Sequence, residues 1–107
     1  MTECGSYPVA IYIAGDIATA KQTCRQWCME RGDCVTIEPL DYIYTGGMET
    51  GVRVRWINYP KFPRSPGEIL TRAKALAELL MVDMCQHSFS IETPETTYWR
   101  SRRETNS

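Results

Sequence analysis

Five cysteines and a single histidine are the side chains of this 107-residue chain that are best suited to nucleophilic or metal chemistry. Cys24 and Cys28 lie four residues apart, Cys34 follows on the same stretch, and Cys85 lies two residues before His87. Zinc prefers thiolate and imidazole ligands, but its structural sites usually contain closely spaced cysteine pairs, and no Cys-x-x-Cys occurs here. Cysteine also serves as a small apolar core residue. The spacing favours free structural thiols without a metal or cofactor, and a thiol- or metal-dependent protein is kept as an alternative.

Neither the histidine nor the carboxylates form a familiar catalytic arrangement. A thiol nucleophile needs a base within hydrogen-bond reach, and Cys85, two residues from His87 at a predicted helix end, points elsewhere. The helix dipole instead favours a positively charged imidazole at that position. No two acidic residues near the predicted turns have the spacing that would fix both on one helix face for acid–base work. The sequence therefore predicts no catalytic residue.

Arginine and aromatic side chains offer a binding surface instead. In residues 51–58, Val52, Val54 and Trp56 alternate with Arg53 and Arg55, so one face of a predicted strand is apolar and the other is cationic. The residues expected to bind a partner lie on this face, on an edge strand and on a proline-rich connector: Tyr12, Tyr42, Tyr44, Arg53, Arg55, Tyr59, Lys61, Phe62 and Arg64. An edge strand with Tyr42 and Tyr44 is apolar enough to pair with another chain. The surface predicts a protein partner, with a homodimer as one form of it.

The same arginines keep nucleic-acid binding as a less favoured alternative. RNA-recognition modules stack bases on aromatic rings of an exposed sheet. Residues 51–58 lack such paired rings, and Glu38 and Glu92 are expected on the same face as the arginines. Twelve basic and thirteen acidic residues give a formal charge of -1, so the whole chain has no field that attracts phosphates.

Composition places the chain among ordinary globular domains. Hydrophobic residues make up 43% and charged residues 23% of the sequence. The longest apolar run, at positions 9–14, is too short to span a bilayer, and no secretory signal opens the chain. An odd number of cysteines argues against a complete set of disulfides. We expect a cytoplasmic protein without membrane contact.

The first half of the chain predicts a strand, a helix and a hairpin. Residues 9–14 alternate as a strand, Asp16 is a suitable N-cap, and Gly32 fits the left-handed position that ends helices, with Asp33 as a turn residue. A proline at position 39 predicts an edge strand over 34–44 with a bulge near residues 38–40. The glycine-rich segment 45–51 is expected to form the hairpin loop before a strand at 52–59.

The second half predicts a long helix and a closing strand. Ser65, Pro66 and Glu68 form a capping box that starts an amphipathic helix. Phe89 and Ile91 alternate with polar residues as a fourth strand, and residues 98–99 suggest a short extra one. Residues 101–107 contain no apolar side chain and are expected to form a flexible polar tail after a single domain at 1–100.

This order of elements predicts a ferredoxin-like α+β sandwich. The βαββαβ pattern places two helices on one face of an antiparallel four-stranded sheet, with a possible short C-terminal strand. Because many unrelated functions use this fold, the fold assigns no active residue. The function favoured here is a small non-enzymatic interaction module, of an accessory or inhibitor type, that self-associates through the sheet face or edge. The alternatives are single-stranded nucleic-acid binding through Arg53 and Arg55, and a thiol- or metal-dependent protein.

Overall fold

The computed structural model describes residues 1–103 of the chain. It contains seven elements in the order β1 (Val9–Ala14), α1 (Ile17–Arg31), β2 (Thr36–Tyr44), β3 (Gly47–Trp56), α2 (Pro66–Asp83), β4 (Ser88–Glu92) and β5 (Thr97–Ser101). No helix within residues 1–103 is both long enough and apolar enough to cross a bilayer.

The five strands form one antiparallel sheet in the order β2-β3-β1-β4-β5. Helix α2 packs on β1 and β4, and α1 packs on α2, β2 and β3, so both helices lie on one side of the sheet. The predicted α+β class is confirmed. The arrangement is compatible with a ferredoxin-like fold, and the possible short C-terminal strand is present as β5, so the sheet has five strands and its order is not that of a simple four-stranded ferredoxin fold. The opposite side of the sheet, here called the open face, carries no helix of the described chain.

Strands β2 and β3 form a longer and more regular hairpin than predicted. Their register is unbroken from Thr36 opposite Arg55 to Tyr44 opposite Gly47, so the predicted bulge near residues 38–40 is absent. Pro39 is accommodated because β2 lies at the sheet edge, where one side of its backbone has no partner strand. The predicted loop over 45–51 is also wrong. Only two residues make the reversal, and Gly46 supplies the positive φ of 86° that it needs.

Local signals at the helix ends match the structure. Asp16 caps α1 by accepting a hydrogen bond from the amide of Thr19 at 3.0 Å, and Gly32 ends the helix with φ 66°. Ser65 caps α2 by accepting from the amide of Glu68 at 3.2 Å. The apolar sides of both helices cover the inner face of the sheet. The largest fully buried side chains of this core are Trp56, Ile11, Ile13, Ile69, Leu76, Leu80, Met81 and Ile91.

The cysteines and the chain end differ in their surroundings. Cys24 is buried, whereas Cys34 and Cys85 are exposed, and all five thiols are free.

Ser101 closes β5 and is buried, and the amide of Arg102 donates to the carbonyl of His87 at 2.7 Å. Residues 104–107 of the predicted tail lie outside the described residues, so its flexibility stays a prediction.

Cys85 is held in a backbone conformation that suits glycine. It follows α2 with φ 56°, between the amides of Met84 and Gln86, which bond to carbonyls of the last helical turn. The left-handed region costs a residue with a Cβ about 1–2 kcal/mol. We expect Cys85→Gly to raise the free energy of unfolding by about 0.5–1 kcal/mol, because glycine also loses more entropy on folding. Denaturant titration checks this, and Cys85→Ala, which removes the thiol and keeps the strain, should show no gain.

Candidate functional site

The open face contains a concave region built from large side chains around small ones. One row across the sheet runs through Arg53, Tyr12, Ser90 and Trp99, each opposite the next on neighbouring strands. The adjacent row contains Gly51 opposite Ala14. The small residues form the floor between aromatic walls, and the resulting cavity has a volume of about 620 Å³. Its lining includes Tyr12, Ala14, Tyr42, Glu49, His87, Ser88, Ser90, Trp99, Ser101 and Arg103.

We call this region the open-face cavity. Its volume falls within the range of about 300–1,000 Å³ that is typical of small-molecule sites. Three aromatic rings, those of Tyr12, Tyr42 and Trp99, line it together with the carboxylate of Glu49 and the imidazole of His87. Aromatic faces and a carboxylate are the groups that attract organic cations and flat heterocycles.

Tyr42 reaches the cavity from the edge strand because Gly51 has no side chain. A Cβ built on Gly51 would lie 2.6 Å from Cε2 of Tyr42 and 2.6 Å from the carbonyl oxygen of Ile13. The ring therefore lies over bare backbone, beside the cross-strand carboxylate of Glu49. Burial, followed by the negative charge of Glu49, raises the pKa of Tyr42 to about 12. Its hydroxyl stays protonated at neutral pH and is available as a hydrogen-bond donor.

Gly51→Ala tests this packing. The added methyl group cannot be placed without moving Tyr42 or a neighbouring strand, and overpacking of this kind typically costs about 1–3 kcal/mol. We expect the free energy of unfolding to fall by that amount in denaturant titration. The matched control is Gly67→Ala in the first turn of α2, where the Cβ would meet nothing within 4 Å. That change should stabilise the helix, because alanine is the better helix former.

Polar contacts fix the side chains around the cavity. The hydroxyl of Tyr12 donates to Oε1 of Glu92 at 3.1 Å. Between strands β3 and β2, Nε of Arg53 donates to Oε1 of Glu38 at 3.0 Å. The hydrogen bond to Glu38 is the largest cause of a raised pKa of Arg53. The charge of Arg53 is therefore already matched by a carboxylate.

The sequence-predicted binding residues fall into two separate groups. Tyr12 and Tyr42 line the open-face cavity, while Arg53 and Arg55 line a neighbouring cavity of about 410 Å³ on the same face. Tyr44 lies near the hairpin turn, where its ring packs against Gly47. The four connector residues lie elsewhere. Tyr59, Phe62 and Arg64 line a third cavity of about 340 Å³ floored by Trp56, and Lys61 lies beside Phe62.

Arg64 is held by a buried carboxylate that the sequence did not single out. Only 1% of the Asp33 side chain is exposed. Its Oδ2 accepts from the indole nitrogens of Trp27 and Trp56, each at 3.0 Å, and its Oδ1 accepts from Arg64 at 2.9 Å. Arg72 lies 3.3 Å from Oδ2. Asp33, predicted as a turn residue, thus joins α1, β3 and α2 at one point.

Three residues of the open-face cavity were missed at the sequence level. Glu49 falls in the segment predicted as a loop. His87 was set aside as a metal ligand and as a base for Cys85, and was placed at a helix end by the dipole argument. Trp99 was placed on a possible short strand without a role. Regular pairing puts Glu49 directly opposite Tyr42 and Trp99 opposite Ser90. The sequence does contain aromatic and small residues that alternate across the sheet in this row. That alternation can be recognised only after the pairing of the strands is known.

The cysteines do not form a second candidate site for thiol or metal chemistry among the described residues. Burial raises the pKa of Cys24 to about 12, and burial together with the charge of Asp33 raises the pKa of Cys28. Thiolates are therefore disfavoured at both positions. Among the described residues, no three His, Cys, Asp or Glu side chains lie close enough to hold a metal ion.

Two solved structures match this chain along nearly its whole length. A phage SAM lyase in its apo state has a TM-score of 0.77 at 17% identity, covering 99% of this chain and 98% of that chain. A phage SAM lyase in complex with S-methyl-5′-thioadenosine has a TM-score of 0.75 at 15% identity, covering 99% and 97%. No protein-family model matches the sequence, and no curated protein is significantly similar to it. At this level of identity the match shows a shared fold.

This match contradicts the prediction of a non-enzymatic interaction module. Both structures that share the fold over the full chain are of an enzyme. The prediction relied on the lack of a recognisable catalytic motif, and such a lack is weak evidence against enzymatic activity. The predicted homodimer and protein partner are untested by the match and stay predictions.

Proposed function

We propose that this protein is a lyase that cleaves S-adenosylmethionine and releases S-methyl-5′-thioadenosine. The observation that carries the proposal is the likeness in fold to phage SAM lyase along 99% of the chain, in the apo form and in the complex with that thioadenosine. The open-face cavity is the location we assign to the substrate. Its lining combines aromatic rings with a carboxylate, which suits an adenine attached to a sulfonium.

The proposed product determines which bond breaks. The sulfur of S-adenosylmethionine carries a methyl group, the adenosyl C5′ and Cγ of the amino-acid chain. S-methyl-5′-thioadenosine keeps the first two groups, so the S–Cγ bond breaks and its electron pair returns to sulfur. The leaving group is a neutral thioether and needs no proton. The four-carbon fragment is completed when its own carboxylate closes on Cγ as a lactone, or when Cβ passes a proton to a carboxylate of the site such as Glu49 and an alkene forms.

Either ending consumes no water and no second substrate, so the protein contributes mainly position and electrostatics. The amino-acid chain of the substrate is flexible, and reaction requires it to adopt one geometry at a cost in entropy. When the protein holds the chain near that geometry, the binding energy offsets this cost. Tyr12 and Tyr42 provide ring faces for the adenine or the sulfonium. Glu49 provides the negative charge that a sulfonium or an ammonium requires. The protonated hydroxyl of Tyr42 adds a donor at the same wall.

The test is to incubate the full chain with S-adenosylmethionine and to follow adenine-containing products by chromatography. We expect S-methyl-5′-thioadenosine to accumulate in proportion to the substrate lost. Ser90→Trp should abolish this activity, because an indole on the cavity floor occupies the substrate volume. Ser6→Trp, at an exposed position outside the cavity, is the matched control and should retain activity. A product yield no higher than that of a protein-free blank would refute the proposal.

A further inference from the structure

The cavity of about 410 Å³ beside the open-face cavity, here called the second cavity, has charges of opposite sign on either side of a small floor. Ala10 pairs with Arg55 on β3 and with Glu92 on β4, so these three lining residues form one row across the sheet. Neighbouring strands lie about 4.8 Å apart, which places the Cα atoms of Arg55 and Glu92 about 10 Å from each other. In this row the methyl group of Ala10 lies between the two long side chains, and space for a small group is left above it.

Both charges of the second cavity are available to a ligand. The guanidinium of Arg55 has no ion-pair partner within residues 1–103, whereas the neighbouring Arg53 is paired with Glu38. Glu92 accepts a hydrogen bond from the hydroxyl of Tyr12 through Oε1, at 3.1 Å. A carboxylate has two oxygens and about four acceptor sites, so Glu92 can accept further hydrogen bonds. Among the described residues, the second cavity therefore combines an unpaired guanidinium with a carboxylate that has acceptor sites to spare.

A ligand that carries both charges close together suits this arrangement. An α-amino acid has its carboxylate and its ammonium on the same carbon atom. Guanidinium groups bind carboxylates through two parallel hydrogen bonds, and a carboxylate is a strong acceptor for an ammonium. A purely anionic ligand would lie against Glu92 and a purely cationic one against Arg55, so each would bring like charges together. The charges of the second cavity therefore favour a zwitterion over either single ion.

We propose that the second cavity binds the zwitterionic end of an α-amino acid, with its carboxylate at Arg55 and its ammonium at Glu92. The side chain of that amino acid extends past Tyr12, which lines both the second cavity and the open-face cavity. The methionyl end of S-adenosylmethionine has this chemistry, and its placement here rests on the proposed function. The adenosine then occupies the open-face cavity, and Glu49 remains for the sulfonium. Since a carboxylate has two oxygens, one can pair with Arg55 while the other closes on Cγ.

The experiment is calorimetric titration of the full chain with three probes: S-adenosyl-L-homocysteine, S-methyl-5′-thioadenosine and L-methionine. S-adenosyl-L-homocysteine keeps the amino-acid end but has a neutral sulfur, so the proposed reaction does not consume it. S-methyl-5′-thioadenosine lacks the amino-acid end. We expect the wild type to bind S-adenosyl-L-homocysteine about ten- to a hundredfold more tightly than S-methyl-5′-thioadenosine, because the former adds hydrogen bonds to charged groups.

Three substitutions in the second cavity test which groups cause this preference. Arg55→Gln and Glu92→Gln should each reduce it to less than about threefold and leave the affinity for S-methyl-5′-thioadenosine unchanged. Glutamine at position 92 keeps an oxygen that can accept from Tyr12, so only the charge is removed. Arg55→Lys keeps the charge without the planar fork and should retain part of the preference. Arg25→Gln, at an exposed position on α1, is the control and should bind all probes like the wild type.

The L-methionine titration distinguishes a free amino acid from one that is attached to adenosine. Binding of L-methionine that Arg55→Gln and Glu92→Gln both abolish would assign the second cavity to free amino acids as well. A preference for S-adenosyl-L-homocysteine that depends on Arg55, without binding of L-methionine, would restrict it to the adenosyl-linked form.

Two results would overturn this inference. One is a wild type that binds S-adenosyl-L-homocysteine no better than S-methyl-5′-thioadenosine and does not bind L-methionine. The other is a preference that survives both Arg55→Gln and Glu92→Gln. A chain that binds the amino-acid end through Arg55 but leaves S-adenosylmethionine intact would support this inference and refute the proposed function. Cleavage without any such preference would do the reverse, so the two are separable.

Discussion

Replacing Asp33 by asparagine is expected to reduce the free energy of unfolding by about 3–5 kcal/mol, the usual cost of removing one member of a buried charged cluster. The carboxylate accepts from Trp27, Trp56 and Arg64. Asparagine has the same shape but replaces one acceptor oxygen with a donor nitrogen. An N–H group then faces donors, and two arginines lose their shared negative charge. Thermal and denaturant unfolding measure the loss.

The matched control is Glu68→Gln, which removes a carboxylate that lies near Arg64 and Arg72 but is 48% exposed. Exposed ion pairs are worth about 0–1 kcal/mol, so this variant should be nearly as stable as the wild type. An Asp33→Asn variant as stable as Glu68→Gln would show that Asp33 does not hold the three elements together.

The stabilisation by Asp33 should also depend on pH. Burial alone would raise the pKa of Asp33, but hydrogen bonds from Trp27 and Trp56, the Cys34 amide and the charge of Arg64 reverse this and lower it. A lowered pKa in the folded state means that the stabilisation is complete above the unfolded value of about 4 and is lost as pH falls through the folded value. The stability difference between wild type and Asp33→Asn should therefore be largest at neutral pH and shrink below about pH 4.

Replacing Glu49 by glutamine is expected to lower kcat/KM for S-adenosylmethionine by about ten- to a hundredfold. A hydrogen bond or contact to a charged group is worth about 1.5–3 kcal/mol, and glutamine keeps the shape without the charge. The affinity for S-methyl-5′-thioadenosine should change by less than about threefold, because this product has neither the sulfonium nor the ammonium. Steady-state kinetics measures kcat/KM for the substrate, and calorimetry measures the affinity for the product.

A matched control is Glu30→Gln on the helix side of the molecule, where the exposed carboxylate accepts a hydrogen bond from Gln26. Both the kinetics and the product affinity should be unchanged in that variant. If Glu49→Gln kept the kcat/KM of the wild type, the cation would be bound elsewhere. An equal loss of affinity for the charged substrate and the neutral product would instead indicate a general disturbance of the cavity.

Helix ends and the open face of the sheet were accessible from sequence because their signals are local. Asp16, Gly32 and Ser65 act on backbone groups within one helical turn, so their roles are visible in neighbouring residues. Alternation along β1 and β3 likewise placed Tyr12 and Arg53 on one face. These predictions needed no knowledge of contacts between distant segments.

The hairpin was mispredicted because glycine has two uses. Segment 45–51 was interpreted as a loop from the conformational freedom of its glycines, but only Gly46 has a positive φ there. Gly47 and Gly51 are glycines because the rings of Tyr44 and Tyr42 lie against them. That requirement comes from the partner strand, and a one-dimensional pattern does not contain it. The same error placed Glu49 near a turn instead of on a strand directly opposite Tyr42.

Asp33 was missed for a related reason. Its two indole partners lie on α1 and β3, and its two arginine partners lie in the connector before α2 and on α2 itself. These segments are far apart in the sequence, and only folding brings them to one carboxylate. The proposed reaction also leaves little trace in a sequence. A leaving group that needs no proton requires no general acid, and a substrate whose own carboxylate closes the lactone requires no nucleophile from the protein. The cavity therefore contains no motif of a familiar catalytic class.

The most direct test of the account follows S-adenosylmethionine labelled with ¹³C on the methyl group and on Cγ, incubated with the full chain and observed by NMR. The account predicts that the methyl signal moves to that of a neutral thioether in S-methyl-5′-thioadenosine while Cγ appears in a separate four-carbon product. Unchanged sulfonium signals, or a methyl group transferred away from sulfur, would contradict it.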